Sequence, residues 1–302
     1  MLDILIKASA FVMVVLLGYL FKVGGMISDK EGRAMAKVVM NVTLPSALLI
    51  SAKTITISSQ LIIPMMIALL GNFLMIMIGY VKGRGKTPLE QSQEIIQLAG
   101  FNVGNFAFPF VQSFFPASYL ITVILFDIGN AIMVFGGNVS MASGLARLDG
   151  RMTLKKFISK LFHSIPFCTY LFCFCLAFFR LQLPDAVLSI AKIAADANPF
   201  MAMLVLGIMV DLRMNRTQVA EIVRLLGLRL LGSGIMIALV MLLPLTSIAK
   251  DMLTICLLAP IAVVSPIFAR ELGSESATPA TINSLTIISS IVLITLFIIL
   301  QA

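Results

Sequence analysis

The sequence predicts an all-α integral membrane protein, and three observations carry that expectation. Hydrophobic residues fill 60% of 302 positions, with a mean hydropathy of +1.06. Charged residues are 12%, about half the share in a soluble domain. The apolar residues fall in long, uniform runs at 4–21, 34–52, 61–81, 95–115, 119–146, 157–179, 186–210, 219–243, 252–269 and 280–300. A helix needs about 20 apolar residues to cross a bilayer, so ten spans would take roughly 200 to 240 residues and leave only short loops. A transmembrane barrel would instead alternate polar and apolar residues in strands of about ten. The composition excludes a soluble globular protein, a disordered chain and a nucleic-acid-binding domain. The net charge of +8 sits on basic residues between the apolar runs, where they act as topology signals.

Taken in order, the first run holds Lys7 and is followed by no small-residue cleavage site. It reads as a retained helix rather than a signal peptide. The second carries a polar interruption, Asn41-Val-Thr-Leu-Pro45. The third is uncharged. The fourth reads Gly100-Phe-Asn-Val-Gly-Asn-Phe-Ala-Phe-Pro-Phe110, with two asparagines, two glycines and Pro109 near mid-span. The fifth contains Phe126-Asp127-Ile-Gly-Asn130, and the basic run Arg147 to Lys160 after it is an anchor. The sixth holds Cys168, Cys173 and Cys175, which with Cys256 read as buried free thiols, and His163 at headgroup level. Metal ligands at suitable spacing are missing, and the 19 methionines read as filler. The seventh carries Lys192, Asp196 and Asn198-Pro199, where the i, i+4 charges neutralise each other. The eighth contains Arg229. The ninth reads Pro260-Ile-Ala-Val-Val-Ser265-Pro266, and the tenth is uncharged.

Sixteen of the 22 Lys and Arg residues fall in loops after odd-numbered helices, against five on the opposite side. That bias puts the odd loops in the cytoplasm and both termini outside. Asn41 and Asn198 are 157 residues apart, as are Pro109 and Pro266. The chain therefore reads as two five-helix halves, 1–150 and 151–302. Five crossings is odd, so the second half enters the membrane inverted. Inverted repeats with interrupted helices at corresponding positions point to a secondary transporter.

Proline removes a helix donor, and in lipid a broken helix persists only where protein or a watery cavity satisfies its freed groups. An ordinary proline kink is the plainer reading of each break. The functional reading has helices 4 and 9 crossing near mid-membrane, with half-helix N-termini that suit a carboxylate. Asn102, Asn105 and Ser265 would add hydrogen bonds without fixed charge. Asp127 costs on the order of 2.5–3.5 kcal/mol at mid-membrane on insertion scales and shares a helix face with Asn130. It reads either as a proton or cation site or as a structural carboxylate capping a half-helix.

These stretches together resemble the auxin efflux carrier family, which includes plant PIN-type exporters and bacterial permeases of malate or malonate type. The resemblance rests on Asn41…Leu44-Pro45, Gly104-Asn105-Phe-Ala-Phe-Pro109, Phe126-Asp127-Ile-Gly-Asn130 and the Gly207-bearing segment after Asn198-Pro199, and it covers essentially the whole chain. It implies ten transmembrane helices in two inverted five-helix repeats, a fold shared with bile-acid symporters and sodium–proton antiporters. Helices 1, 2, 6 and 7 would form a scaffold, and helices 3–5 and 8–10 a transport domain. Helices 4 and 9 would cross at Pro109 and Pro266, with Asn105 and Ser265 beside them and anionic substrate next to the crossing. The middle loop here is only about ten residues, unlike the long loop of the plant members, which argues against auxin itself and against loop phosphorylation.

The expectation is a multi-pass carrier of the plasma or inner membrane, not an enzyme. It would export or exchange a small organic anion, a carboxylate, by elevator-type movement. The expected substrate-site residues are Asn41, Asn102, Asn105, Pro109, Asn198, Ser265 and Pro266, with Asp127 and Asn130 for ion coupling. The expected partners are the anion, H+ or Na+, membrane lipids and a second copy in a homodimer; no nucleic acid and no cofactor are expected. The alternatives are a cation–proton antiporter using Asp127 and, behind it, a sensor that binds without flux.

Overall fold

The computed structural model describes residues 2–52, 62–146, 153–179, 181–212, 218–274, 276 and 278–301. Among these residues the regular structure is entirely helical. The basic residues Arg147, Arg151, Arg213 and Arg216 lie outside the described residues, as does the middle of the loop around Gly150.

The chain opens with α1 (Leu2–Val23) and α2 (Asp29–Val38). Ser28 and Glu31 start α2 as a reciprocal capping box, which satisfies two otherwise orphaned N–H groups. α2 runs through a π-helical turn, Val39–Thr43, into α3 (Leu44–Ala52). The interruption expected at Asn41 is thus a widened turn in a continuous helix. α4 (Ile62–Lys82) follows, then α5 (Pro88–Leu98), opened by the Thr87–Glu90 capping box and Pro88. α5 stops at Gly100, whose φ of 93° suits a residue without Cβ. A second π turn, Val103–Ala107, leads into α6 (Phe108–Phe114). α7 (Leu120–Ile132), a third π turn (Met133–Gly137) and α8 (Asn138–Leu145) complete the fifth apolar run.

α9 (Leu154–His163) and α10 (Ile165–Phe178) are bent by 83° at Ser164. The single sixth helix expected from 157 to 179 is therefore a surface helix followed by a shorter apolar one. Ser164 caps α10 and Pro166 sits in its first turn, where the missing N–H costs nothing. α11 (Asp185–Met209) passes unbroken through Pro199, so the interruption expected at Asn198-Pro199 is absent. Proline frees the carbonyl four residues earlier, here Ala195, and the Gln112 amide donates to that carbonyl at 3.0 Å. α12 (Val219–Leu242), α13 (Ser247–Leu258), α14 (Ser265–Glu271) and α15 (Thr278–Gln301) complete the chain. α13 and α14 are separated by an irregular stretch at 259–264.

Six helices among the described residues are long and apolar enough to cross a membrane: 29–52, 62–82, 117–145, 185–209, 219–242 and 278–301. Large apolar side chains such as Phe73, Ile193, Leu242 and Val292 face outward on them, as a lipid-facing surface requires. The cysteines are only partly as expected. Cys173 and Cys256 are buried, Cys168 is half-buried and Cys175 is exposed among such apolar residues.

α1, α2, α3, α10 and α11 pack on one another. The seam between α1 and α11 is backbone against backbone. A Cβ added to Gly207 would lie 1.9 Å from the Val15 carbonyl oxygen, and one added to Gly18 2.2 Å from that of Leu204. Small residues of this kind let helices associate where lipid removes the hydrophobic drive. α4, α5, α7, α8, α12, α13 and α15 make a second set of mutual contacts. Phe101, Phe106, Phe108, Phe110 and Phe126 are fully buried where the broken helices pass through the centre. Phe110 stacks on Phe114 with ring centroids 4.5 Å apart, and Phe101 meets Phe126 edge-on at 5.6 Å.

Candidate functional site

The two irregular stretches, 99–102 and 259–264, lie against each other. They touch where the Asn102 backbone N–H donates to the Pro260 carbonyl at 2.8 Å. Pro109 and Pro266, expected at the crossing itself, lie in the first turns of the following half-helices, α6 and α14.

Each stretch is clamped by side chains from the neighbouring long helix. Asn130 on α7 accepts from Phe101 N at 3.0 Å and donates to Phe101 O at 2.7 Å. On α15, Thr286 accepts from Ile261 N at 3.2 Å, and Asn283 donates to Ile261 O at 3.0 Å. A backbone free of helix or sheet thereby keeps its hydrogen bonds; away from water an unmade one costs several kcal/mol.

The ends of the broken helices divide by polarity. The C-terminal ends of α5 and α13 converge on Arg229 of α12. Its guanidinium donates to Leu98 O at 2.5 Å and to Ala259 O at 3.1 Å, and lies 4.3 Å from the centroid of the Phe101 ring. Arg229 is 3% exposed, and its polar partners among the described residues are carbonyls. A cation between two negative helix ends is the favourable arrangement. The N-terminal end that starts at Val103 instead lines a cavity of about 810 Å³, to whose wall Arg229 does not contribute.

That cavity is lined by Asn41, Asn102, Asn105, Asp127, Asn130 and Pro266 among the residues singled out in the sequence. Pro109, Asn198 and Ser265 are not in its wall. All three π turns border it, through Met40, Gly104 and Val134 among others; such turns widen a helix and often occur at functional positions. Toward the ends of α1, α2 and α14 the wall carries Lys22, Arg33, Lys37 and Arg270 against Asp29 and Asp211, with Lys22 paired to Asp29 at 2.9 Å. At the crossing, the Asn102 side-chain Nδ2 is buried and makes no hydrogen bond among the described residues. A buried donor left unpaired in this way costs about 1–3 kcal/mol. Asn105 Nδ2 meets the Met40 sulfur at 3.0 Å.

Asp127 is 8% exposed. The Tyr170 hydroxyl of α10 donates to its Oδ2 at 2.5 Å, and Asn130 Nδ2 donates to its Oδ1 at 3.0 Å. The amide network continues from Asn130 to Asn72 on α4 and from Asn72 to Asn138 on α8, each link at 3.2 Å. Asn198 lies outside the wall of this cavity and holds the helices together. It accepts from Thr43 Oγ1 at 2.9 Å and donates to Gln112 Oε1 at 3.0 Å. Lys192 and Asp196 pair on the surface at 2.8 Å, as expected from their spacing. Among the described residues no cluster of three or more His, Cys, Asp or Glu side chains forms a metal site.

The family model described as "Membrane transport protein" matches residues 4–298. The chain belongs to this family, that of the auxin efflux carriers. Its members are transporters rather than enzymes. A protein of Methanothermobacter thermautotrophicus described as an uncharacterized transporter is 26% identical over 228 residues, covering 74% of each chain. The match and the apolar helices make this a multi-pass membrane protein and a permease.

For a member of this family, several side chains at the site are hard to anticipate from sequence. Arg229 stands out only as a charge inside an apolar run, and its partners lie 131 and 30 residues away in sequence. Tyr170 is one of four tyrosines in the chain and Asn72 one polar residue in an uncharged run. Both carry a weak signal, a polar group in an apolar helix, but nothing local names the partner.

Proposed function

We propose that this protein is a secondary transporter that moves a small organic anion, a carboxylate, past the crossing of its broken helices. The single observation that carries this reading is Asn102. Among the described residues its buried Nδ2 has no partner, it stands at the N-terminal end of a half-helix, and it lines a cavity whose wall carries more basic than acidic side chains. A carboxylate oxygen supplies the missing acceptor, and the half-helix N–H groups from Val103 onward favour negative charge. Asn105 lies one turn further on and offers a second amide.

The movement is of elevator type. Ten spans form two inverted halves, 1–150 and 151–302. α1 to α3 and α9 to α11 make up the scaffold, and the remaining helices the transport domain that carries the crossing. The polar links across this division among the described residues include Tyr170 to Asp127, Gln112 to Asn198 and to Ala195 O, Asn105 to Met40 and, just past α11, Asp211 N to Ser284, each a breakable hydrogen bond. Arg229 and the Asn130 and Asn283 clamps lie wholly within the moving part, so the crossing travels as a unit. The basic loops face the cytoplasm with both termini outside, which makes this the inward-open state. Asp127 exchanges the coupling ion, H+ or Na+, since its carboxylate lies in the cavity wall beside Asn130.

The test is a flux panel of labelled mono- and dicarboxylates in proteoliposomes, with and without Na+ and pH gradients. Concentrative movement of at least one carboxylate is expected, and its loss in Asn102→Ala places the site. Binding without flux across the whole panel would overturn the carrier reading and leave a sensor. Movement of Na+ against H+ with no carboxylate dependence would leave an antiporter.

A further inference from the structure

We infer that α9 is an interfacial helix that binds the headgroups of anionic phospholipid. The helix is built for a boundary. At 100° per residue its apolar side chains Phe157, Ile158, Leu161 and Phe162 fall on one arc, and Lys155, Lys156, Ser159 and His163 on the other. Thr153 caps its start, with Oγ1 accepting from Lys156 N at 3.3 Å.

The apolar arc is used from both edges. On one edge Leu161 is buried and the Phe157 ring rests on the π turn between α7 and α8, where only a glycine fits. A Cβ on Gly136 would lie 2.3 Å from that ring. On the other edge Ile158 is 45% and Phe162 56% exposed, next to the exposed Ile165 that starts α10. The 83° bend at Ser164 decides the orientation. If α10 runs along the bilayer normal, α9 lies nearly in its plane, with its outer apolar edge toward the acyl chains.

Lys155 and Lys156 are exposed, and Lys160 is a third lysine in the same ten residues. Among the described residues no acidic side chain pairs with Lys155 or Lys156. An apolar edge beside unpaired lysines is complementary to a surface that is apolar beneath and anionic above, which is an acidic phospholipid monolayer. Each lysine near such a surface is worth a roughly fivefold preference. This inference needs only the membrane setting and stands apart from the substrate reading.

The chain has no tryptophan, so F162W places a single indole on the outer edge. The full-length protein is assembled in nanodiscs of phosphatidylcholine alone and of phosphatidylcholine with phosphatidylglycerol. Quenching of the indole by brominated acyl chains is then read in each. Quenching is expected in both, with an added, salt-sensitive increase in the anionic discs that falls at least fivefold in F162W/K155Q/K156Q. Gel filtration of the variants checks that each is folded. An indole that stays water-exposed in both discs, one quenched equally in both, or an anionic increment that survives loss of the two lysines would each overturn the assignment.

Discussion

The hydroxyl of Tyr170 donates to the carboxylate of Asp127 at 2.5 Å, joining α10 to α7 across the wall of the central cavity. Tyr170→Phe keeps the ring and removes the donor. Loss of one hydrogen bond to a buried acceptor costs about 1–3 kcal/mol. The thermal unfolding midpoint in detergent is therefore expected to fall, and Tyr170→Phe/Asp127→Asn together should cost less than the sum of the two single changes. Additive losses would show that the two groups do not act on each other.

Asn102→Ala removes a side chain whose Nδ2 has no hydrogen-bond partner among the described residues. Stability should change little, while carboxylate binding weakens by about 1–3 kcal/mol, roughly 5- to 150-fold. Isothermal titration with the best substrate of the flux panel reads the affinity, and thermal unfolding reads the stability. A large stability loss with unchanged affinity would mean that Nδ2 serves the fold.

Asp127→Asn separates coupling from structure. If the carboxylate exchanges an ion each cycle, gradient-driven uptake disappears while substrate–substrate exchange survives. If it only holds Tyr170 and Asn130 in place, both activities persist at reduced levels. An Asp127→Asn protein that still concentrates substrate against a gradient ends the coupling role.

Arg229→Gln leaves the carbonyls of Leu98 and Ala259 short of a charged donor. Two charge-assisted bonds at about 1.5–3 kcal/mol each are lost, so this variant should be the least stable of the set. Arg229→Lys should recover only part of the loss, because an ammonium group cannot reproduce the planar fork. Thermal unfolding of the three proteins side by side reads the order, and a lysine variant as stable as the parent would contradict it.

At the loop between α4 and α5, Lys86 has its ammonium held above the ordinary value of 10.5, first by its hydrogen bond to Glu94 at 2.5 Å. Lys82 joins the same cluster and links Glu94 to Glu221 of α12. Because the folded state holds this proton more tightly, the stabilisation from Lys86 is fully present below the unfolded value. It is lost as pH rises through the raised folded one. Unfolding midpoints measured upward from about pH 10 should drop more steeply for the parent than for Lys86→Gln.

The apolar runs were legible because burying them in lipid is a local, additive property of about 20 residues at a time. The breaks near Gly100 and Pro260 were legible too, since glycine and proline act on their own backbone. What stayed hidden depends on partners distant in sequence. Pro199 predicts a broken helix, yet α11 is continuous because Gln112, 83 residues before Ala195, takes up the freed carbonyl. The turn at Ser164 divides one apolar run into two helices, because the amphipathic spacing of Lys155 to His163 competes with simple hydrophobicity. The site residues followed the same division. Asn102, Asn105, Asp127 and Asn130 were visible as polar groups in apolar helices and line the cavity, while Tyr170, Asn72 and Arg229 gain their meaning only from what they touch.

Carbonyl oxygens gathered at the ends of interrupted helices are a cage that dissolved cations fill according to their concentration and dissociation constant. Here the positive charge in that position is the Arg229 side chain, fixed to the backbone of α12. Its occupancy is one at every ionic composition, since mass action has no purchase on a tethered group. The architecture of the crossing is thereby uncoupled from the salt content of either compartment. Whatever ion dependence transport displays must then arise at other groups, so dialysis against salt-free buffer should leave the folded state at this point untouched.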